Sequence, residues 1–491
     1  MNAVCAVAAA AVLVPACLLQ AAPLVEYDPT LAGSVPFRRL FLDAMVVEEA
    51  QGLERVFHAP TKYAGNPIFV KEKEWEGWGP SLGGTVIRDG DKLRMYYYCL
   101  HDDASRVVCV AESKDGLHWS RPIVGQVEWA GSKRNNIVDC GTQVFKVAEP
   151  SSPDRRWISY GWHNKKVSLA YSADGLRWRW MERAEDLFAS SDVINWFFDP
   201  YRNRMCATWK THSRRHRSVG VAWSKDLENW TKPIDGPVFV PDDLDPDATQ
   251  IYGMPVFAYQ KCFIGLAWIY HARWIKYGRY TKPEVMFEAQ IGSPRTIDVQ
   301  LAWSWDLINW TRTPRREPFI GNGPYKQFDC GLALTAREPI VMGDELWFYY
   351  TGWDQIHEDY EGIKSAVGLA KLRLDGFCSM RAGDEEGWLI SRREVFNTPR
   401  IMINAKCAPN GYVAAELVDR NNEVIPGFEK TNCSAFTGDS VRGVITWKTA
   451  RFPDAWIDKD KKIKFYIKNA ELYSYLPEDI NRKIDDGWPD Y

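Results

Sequence analysis

The 491-residue chain has no CxxC pair, no phosphate-binding glycine loop, no glycine-rich dinucleotide signature and no metal-ligand spacing. These absences set aside nucleotide-dependent transfer and zinc chemistry, and no cofactor and no metal are expected. Charge of one sign is also missing. Sixty-one Lys and Arg stand against 64 Asp and Glu, a net charge of −3, so the chain has no basic footprint for nucleic acid. No apolar stretch reads as a permanent membrane span. The opening Met1–Ala22 is rich in Ala, Val and Leu, lacks a basic start and ends in small residues. That is the pattern of a signal peptide, and the chain is expected to be exported: periplasmic, secreted or at the cell surface. Within this leader, Val14-Pro-Ala-Cys17 has the form of a lipoprotein cleavage box, which makes Cys17 a candidate lipid anchor. Beyond Cys5 and Cys17, nine of the 11 cysteines remain, an odd number that is no disulfide framework. Cys99, Cys109, Cys206 and Cys262 sit in apolar strands and are expected to be free and buried.

What the chain has in quantity is aromatic residues, 13% of the total with 23 Trp. Four of them close a repeated phrase, Ser-x-Asp-x-x-x-Trp, at Ser113–Trp119, Ser172–Trp178, Ser224–Trp230 and Ser304–Trp310. Each copy follows an alternating apolar strand, so each reads as a hairpin. Asp bonds the backbone beyond it, Gly or its substitute makes the turn, and Trp opens the return strand. Two further strands precede each copy, and a fifth unit ends in a decayed turn at Asp375-Gly376. Four strands per unit and five units predict an all-β chain: a five-bladed β-propeller over residues 75–380. Residues 23–74 are expected as an N-terminal lead-in and 381–399 as a linker. Short strands with Gly/Pro turns over 400–478 predict a C-terminal β-sandwich, followed by a tail at 479–491.

In a propeller, the loops leading to each innermost strand ring one funnel. In this chain those places carry acids with aromatic company. Glu76, between Trp75 and Trp78, precedes the first unit, Asp139 the second, Asp192 the third, Asp247 and Tyr252 the fourth and Asp329 the fifth. Glycoside hydrolysis needs two carboxyl groups, one to protonate the leaving oxygen and one to attack or to activate water. Glu76, Asp192, Asp329 and Asp139 are therefore the candidate catalytic acids, with Glu76 as acid and Asp192 as base or nucleophile. Trp75, Trp78, Asp247, Tyr252, His271, Glu288, Trp353 and His357 are candidate sugar ligands. Glu288 lies in a long insertion, where a binding loop is expected.

The repeated hairpins, the five units and the C-terminal stretch Val424–Phe428, Gly438–Ser440 and Lys464–Ser474 resemble the β-fructosidase superfamily, glycoside hydrolase families 32, 43, 68 and 117. The resemblance is nearest to family-32-like exported bacterial proteins. It implies a glycosidase acting on a poly- or oligosaccharide, with Asp, Asp and Glu at the first three inner-strand approaches. By position these are Glu76, Asp139 and Asp192, so the first and third residue types are exchanged. The Trp-Met-Asn-Asp-Pro-Asn-Gly, Arg-Asp-Pro and Glu-Cys motifs of fructosidases are absent. A non-catalytic carbohydrate-binding propeller, a sialidase and a glycoside phosphorylase stay open as alternatives.

Overall fold

The structure is a computed structural model that describes residues 22–33, 37–182, 192–213, 216–246, 248–272, 295–357 and 361–478. The leader with Cys17, the residues Asp247 and Glu288, and the tail 479–491 lie outside the described residues.

The chain is nearly all β. Antiparallel strands Ser81–Asp89, Lys92–Leu100, Arg106–Ser113 and Ile137–Val138 form a first sheet. Gln143–Lys146, Trp157–His163, Lys166–Ser172 and Trp178–Trp180 form a second. Ile194–Asp199, Arg204–Ser213 and His216–Ser224 form a third, with isolated bridges at Thr231 and Phe239 in the outer position. Two more units follow, opened by Thr249–Gly253 and by Leu332–Thr335. A single parallel bridge, Ile297 to Leu332, joins them into one continuous sheet.

The four turn phrases fold identically, for a local reason. In the first, Asp115 Oδ1 accepts from the N–H groups of Leu117 (2.9 Å) and His118 (2.8 Å), and Ser113 Oγ accepts from Gly116 N–H at 2.9 Å. Gly116 sits at φ +77°, and Gly175 repeats this at +74°. The third and fourth copies hold Leu227 and Leu307 at +74° and +70°, where a side chain is strained. In all four turns the residue before the Trp bonds the second oxygen of the Asp: His118 Nδ1 to Asp115 at 2.7 Å, Arg177 to Asp174 at 3.0 Å, and the Asn229 and Asn309 amides to Asp226 and Asp306 at 2.7 Å.

Each turn then wedges against the unit before it. Trp178 meets Tyr96 edge-on at 6.2 Å, Trp230 meets Tyr160 at 5.8 Å and Trp310 meets Phe239 at 6.2 Å. Trp119 of the first unit meets Tyr349 of the fifth at 5.7 Å, so the series returns to its start. Hydroxyls add to three of these contacts: Tyr96 donates to Gly175 O, Tyr160 to Leu227 O and Tyr349 to Gly116 O.

The segment expected as a lead-in is part of the sheets. Thr61–Lys62 forms the outer strand of the fifth unit, paired with Ala370 and Lys371. Arg39–Leu40, Val47–Gln51 and Glu54–Phe57 join a C-terminal sheet. The expected linker also contributes strands, Gly387–Ser391 and Glu394–Val395, to the two long strands Arg400–Val418 and Asp460–Pro477. Backbone polarity explains both differences, because a stretch packed on a sheet satisfies its N–H and C=O groups by pairing. Alternation in these short pieces is too brief to show in the sequence. Among the described residues no helix is long and apolar enough to cross a membrane.

Cys99, Cys109, Cys206 and Cys262 are free, with 0–1% exposure. Thiol reagents should label them slowly in the native protein and rapidly after denaturation, as followed by mass spectrometry. A second expectation concerns the turns. Partial burial opposes ionisation of Asp226, but the Asn229 amide, two backbone N–H groups and the Ser224 hydroxyl hold it down to about 2. With the folded pKa depressed, its stabilisation is complete above the ordinary carboxylate range and is lost as pH falls through about 2. Asp226→Ala should lower stability by about 1–2 kcal/mol at neutral pH, read from urea unfolding midpoints, and by less near pH 2.

Candidate active site

The strands that open the five units point one end toward a common cavity of about 530 Å³. Gly83, Gln143, Asn195, Tyr252 and Leu332 reach it, one from each of the opening strands. The ends of the second strands and the turns after them also contribute, with Trp162 from the strand Trp157–His163 and His101 and Asp102 from the turn after Leu100. Its walls carry Trp78, Tyr98, Trp162, Trp196, Trp268 and Trp353. Trp78 and Trp353 stand edge to face at 6.0 Å, and Trp353 Nε1 donates to Ser81 Oγ at 3.2 Å.

Three wall residues are almost fully buried yet keep a polar atom without a partner among the described residues: Gln143 Oε1, Asn195 Nδ2 and Trp196 Nε1, at 2%, 2% and 3% exposure. Gln143 is oriented by its own amide, which donates to Gly83 O at 2.9 Å and leaves the carbonyl oxygen as the open acceptor. Trp196 is held flat on Tyr160, 5.2 Å away at 10°. An unmatched buried donor or acceptor costs about 1–3 kcal/mol. The three atoms have almost no exposed surface of their own, so they lie within the wall, and the cavity presents chiefly aromatic rings.

Two carboxylates line the cavity among the described residues, Asp102 and Asp192. Asp192 was expected from sequence; Asp102 was not. Asp102 Oδ1 accepts from Trp78 Nε1 at 2.7 Å. Asp192, 72% exposed at the mouth, pairs with Lys210 Nζ at 2.7 Å. Shielding by the wall raises the Asp192 pKa, but the Lys210 ammonium, with Arg217 further off, holds it below the usual carboxylate range. Asp192 is thus an ionised group at neutral pH.

The other expected acids do not line the cavity. Glu76 is completely buried at the end of a short 3₁₀ turn, Glu74–Glu76. Arg121 Nε donates to it at 2.7 Å, Tyr97 Oη at 2.8 Å, and the backbone N–H groups of Glu72 and Lys73 at 2.8 and 3.0 Å. All of its lone pairs are directed at fixed donors, so it pins the approach to the first sheet instead of acting as an acid. Asp329 is 2% exposed and holds the outer strand of the fifth unit through Lys62 Nζ at 2.6 Å, with Tyr350 Oη donating at 2.9 Å. Asp139 is exposed and accepts from Trp180 Nε1 at 2.8 Å.

Among the expected sugar ligands, Trp78, Tyr252 and Trp353 line the cavity. Trp75 turns inward and donates to Asn136 Oδ1 at 2.8 Å. His357 stands behind Tyr252, 3.3 Å from its hydroxyl. His271 pairs with Asp298 at 2.9 Å. Burial lowers its pKa, but the hydrogen bond and charge of Asp298 prevail and raise it. Among the described residues no three His, Cys, Asp or Glu side chains are grouped to hold a metal ion. Of the residues that sequence reading missed, Asp102 stands in the turn two residues after Leu100 ends the second strand of the first unit, outside the repeated phrase.

No protein-family model matches the chain. An uncharacterised protein of Mycobacterium tuberculosis strain H37Rv is 29% identical over 113 residues, 22% of this chain and 36% of that one. The chain therefore matches about a third of that relative's length. The structure neighbours are glycoside hydrolases. A glycosyl hydrolase from Bacteroides ovatus is 15% identical over 65% of this chain and 94% of that chain, at a TM-score of 0.43. A structure from the family-130 mannoside phosphorylases, which contain hydrolases that target β-1,2 mannosidic linkages in Candida mannan, is 16% identical over 65% and 94%, at 0.42. The family-32 β-fructofuranosidase of Bombyx mori is 12% identical over 87% and 94%, at 0.38.

The Asp192–Lys210 pair yields a pH prediction. Lys210→Met removes the cation that depresses the Asp192 pKa, so that pKa must rise. Any activity that needs the Asp192 carboxylate should then lose its acidic limb at a higher pH than in the parent, measured as kcat/KM against pH.

Proposed function

We propose that the chain is an exported glycoside hydrolase, a five-bladed β-propeller with a C-terminal β-sandwich, that binds a poly- or oligosaccharide in the cavity where the five opening strands converge. The observation that carries this reading is the aromatic wall of that cavity, Trp78, Tyr98, Trp162, Trp268 and Trp353, with the carboxylates of Asp102 and Asp192 on the same lining. A sugar ring offers hydroxyls as both donors and acceptors, and its C–H faces suit the electron-rich faces of Trp and Tyr. The resemblance of the repeated hairpins to the β-fructosidase superfamily points the same way.

In this reading Asp192 is the base or nucleophile, since its pairing with Lys210 keeps it ionised. Asp102 is the partner acid, because it is the other carboxylate on the described cavity wall. Trp78 fixes its orientation. Glu76 and Asp329 serve the scaffold. Export is supported by the apolar leader at residues 1–22 with its cleavage-box cysteine, Cys17. The mature N-terminus, read by mass spectrometry, tests cleavage and lipid attachment.

The functional test is a screen of the purified chain against plant, algal and host glycans, followed by variants. Asp192→Asn and Asp102→Asn should each lower kcat by about a hundredfold or more. Trp78→Ala should raise KM by about tenfold, for one lost aromatic wall contact. If the parent binds saccharide but never turns it over, the protein is a carbohydrate-binding propeller and the catalytic roles fall.

A further inference from the structure

A second aromatic group stands at the cavity's edge, on the rim between the first and second sheets. Trp180 ends the outer strand Trp178–Trp180 and is partly buried. His163 lies flat against it, with ring centres 4.6 Å apart and planes at 13°. Asp139 accepts from its indole N–H at 2.8 Å, which fixes the ring's rotation. From the first sheet, Tyr98 lines the cavity and carries the Arg106 guanidinium over its ring at 5.2 Å. Arg106 is exposed and makes no side-chain hydrogen bond or ion pair among the described residues. Tyr98 and Trp180 flank the same core cluster, the one that joins the first two sheets.

Strand alternation explains this placement. Ser159, Ala170 and Trp180 form one cross-strand row, and Gly161 and His163 continue the same face of the Trp157–His163 strand. Gly161 lines the cavity, and a methyl group added to it would stand 3.5 Å from the Trp180 ring and 2.6 Å from the Gly141 backbone. The wall between cavity and rim is therefore only a glycine backbone thick at this point. Packing of the core does not require a carboxylate at Asp139, an exposed position, to orient an indole.

We propose that this rim is a second saccharide subsite, in which Trp180 and Tyr98 receive sugar rings of a chain leaving the cavity past Gly161, with Arg106 bonding their hydroxyls and Asp139 holding the Trp180 ring in place. The inference rests on the cavity's binding a sugar. It makes the ligand an oligosaccharide longer than the cavity itself holds. Asp139 is a positioning residue here, acting through Trp180.

The test uses the full chain carrying Asp192→Asn, titrated by calorimetry with matched di- and hexasaccharides of β-glucan, β-mannan, β-xylan, fructan and polygalacturonate. For the saccharide that binds, the hexasaccharide should bind at least tenfold tighter than its disaccharide. Adding Trp180→Ala should reduce that ratio to about twofold or less, and Trp180→Phe should restore part of it. Asp139→Ala should lower the ratio, while Asp139→Asn, which keeps an acceptor oxygen, should preserve it. Trp78→Ala, in the cavity itself, should weaken both lengths alike. A length ratio unchanged by Trp180→Ala, or equal affinities in the parent, overturns the rim subsite while the cavity reading stands. Failure of every saccharide to bind overturns both. Urea midpoints within 10% of the parent's exclude loss of fold as the cause.

Discussion

Everything in the fold depends on one repeated contact, a tryptophan at the end of a tight turn pressed edge-on against an aromatic or apolar neighbour in the preceding sheet. An edge-to-face pair adds about 0.5–1.5 kcal/mol beyond the area it buries. Its geometry matters more, since it fixes the angle and distance between successive units. The turn that delivers the ring is stiff because an Asp carboxylate and a Ser hydroxyl satisfy its inward N–H groups. Leu227 and Leu307 replace glycine in the left-handed conformation, and the same Asp bonds hold those turns closed. The same device operates in four units, with Gly at the turn in two and Leu in two.

The fifth unit uses its turn aspartate differently. Asp375, 1% exposed at φ +58°, accepts from Arg38 Nε at 2.6 Å, Tyr259 Oη at 2.6 Å and Ser474 Oγ at 2.7 Å. One carboxylate thereby links the N-terminal segment, the fourth unit and the C-terminal sheet. Burial opposes its ionisation, and Arg38 overcomes this to lower the pKa. Arg39 and Glu394 repeat the arrangement nearby, 2.8 Å apart and both buried. Removing one partner of such a pair leaves an uncompensated charge inside the protein, so these pairs enforce one arrangement of the C-terminal sheet on the propeller-like units.

Carboxylates in this chain therefore divide by what meets them. Those met by guanidinium, ammonium or hydroxyl groups in the interior, Glu76, Asp329 and Asp375, hold segments together. Those at the cavity, Asp102 and Asp192, each keep one described protein partner and otherwise face open space. The cavity wall is rigid, because Trp196 is locked by stacking on Tyr160 and Gln143 by its bond to Gly83. A wall fixed in advance binds without further ordering cost.

The repeat period, the turns and the all-β class were legible in the sequence, because Ser-x-Asp-x-x-x-Trp is a local structure whose partners lie within a few residues. The convergence of Trp78, Asp192, Tyr252 and Trp353 followed too, since their positions relative to the repeat place them at one end of their strands. What the sequence could not contain is which distant neighbour meets each side chain. Glu76 and Asp192 both precede the opening strand of their unit, yet Arg121 lies over one and Lys210 beside the other. The closing strand Thr61–Lys62 is likewise a product of packing between units. Strand alternation assigns a residue to a face, but only the assembled sheets decide what that face meets.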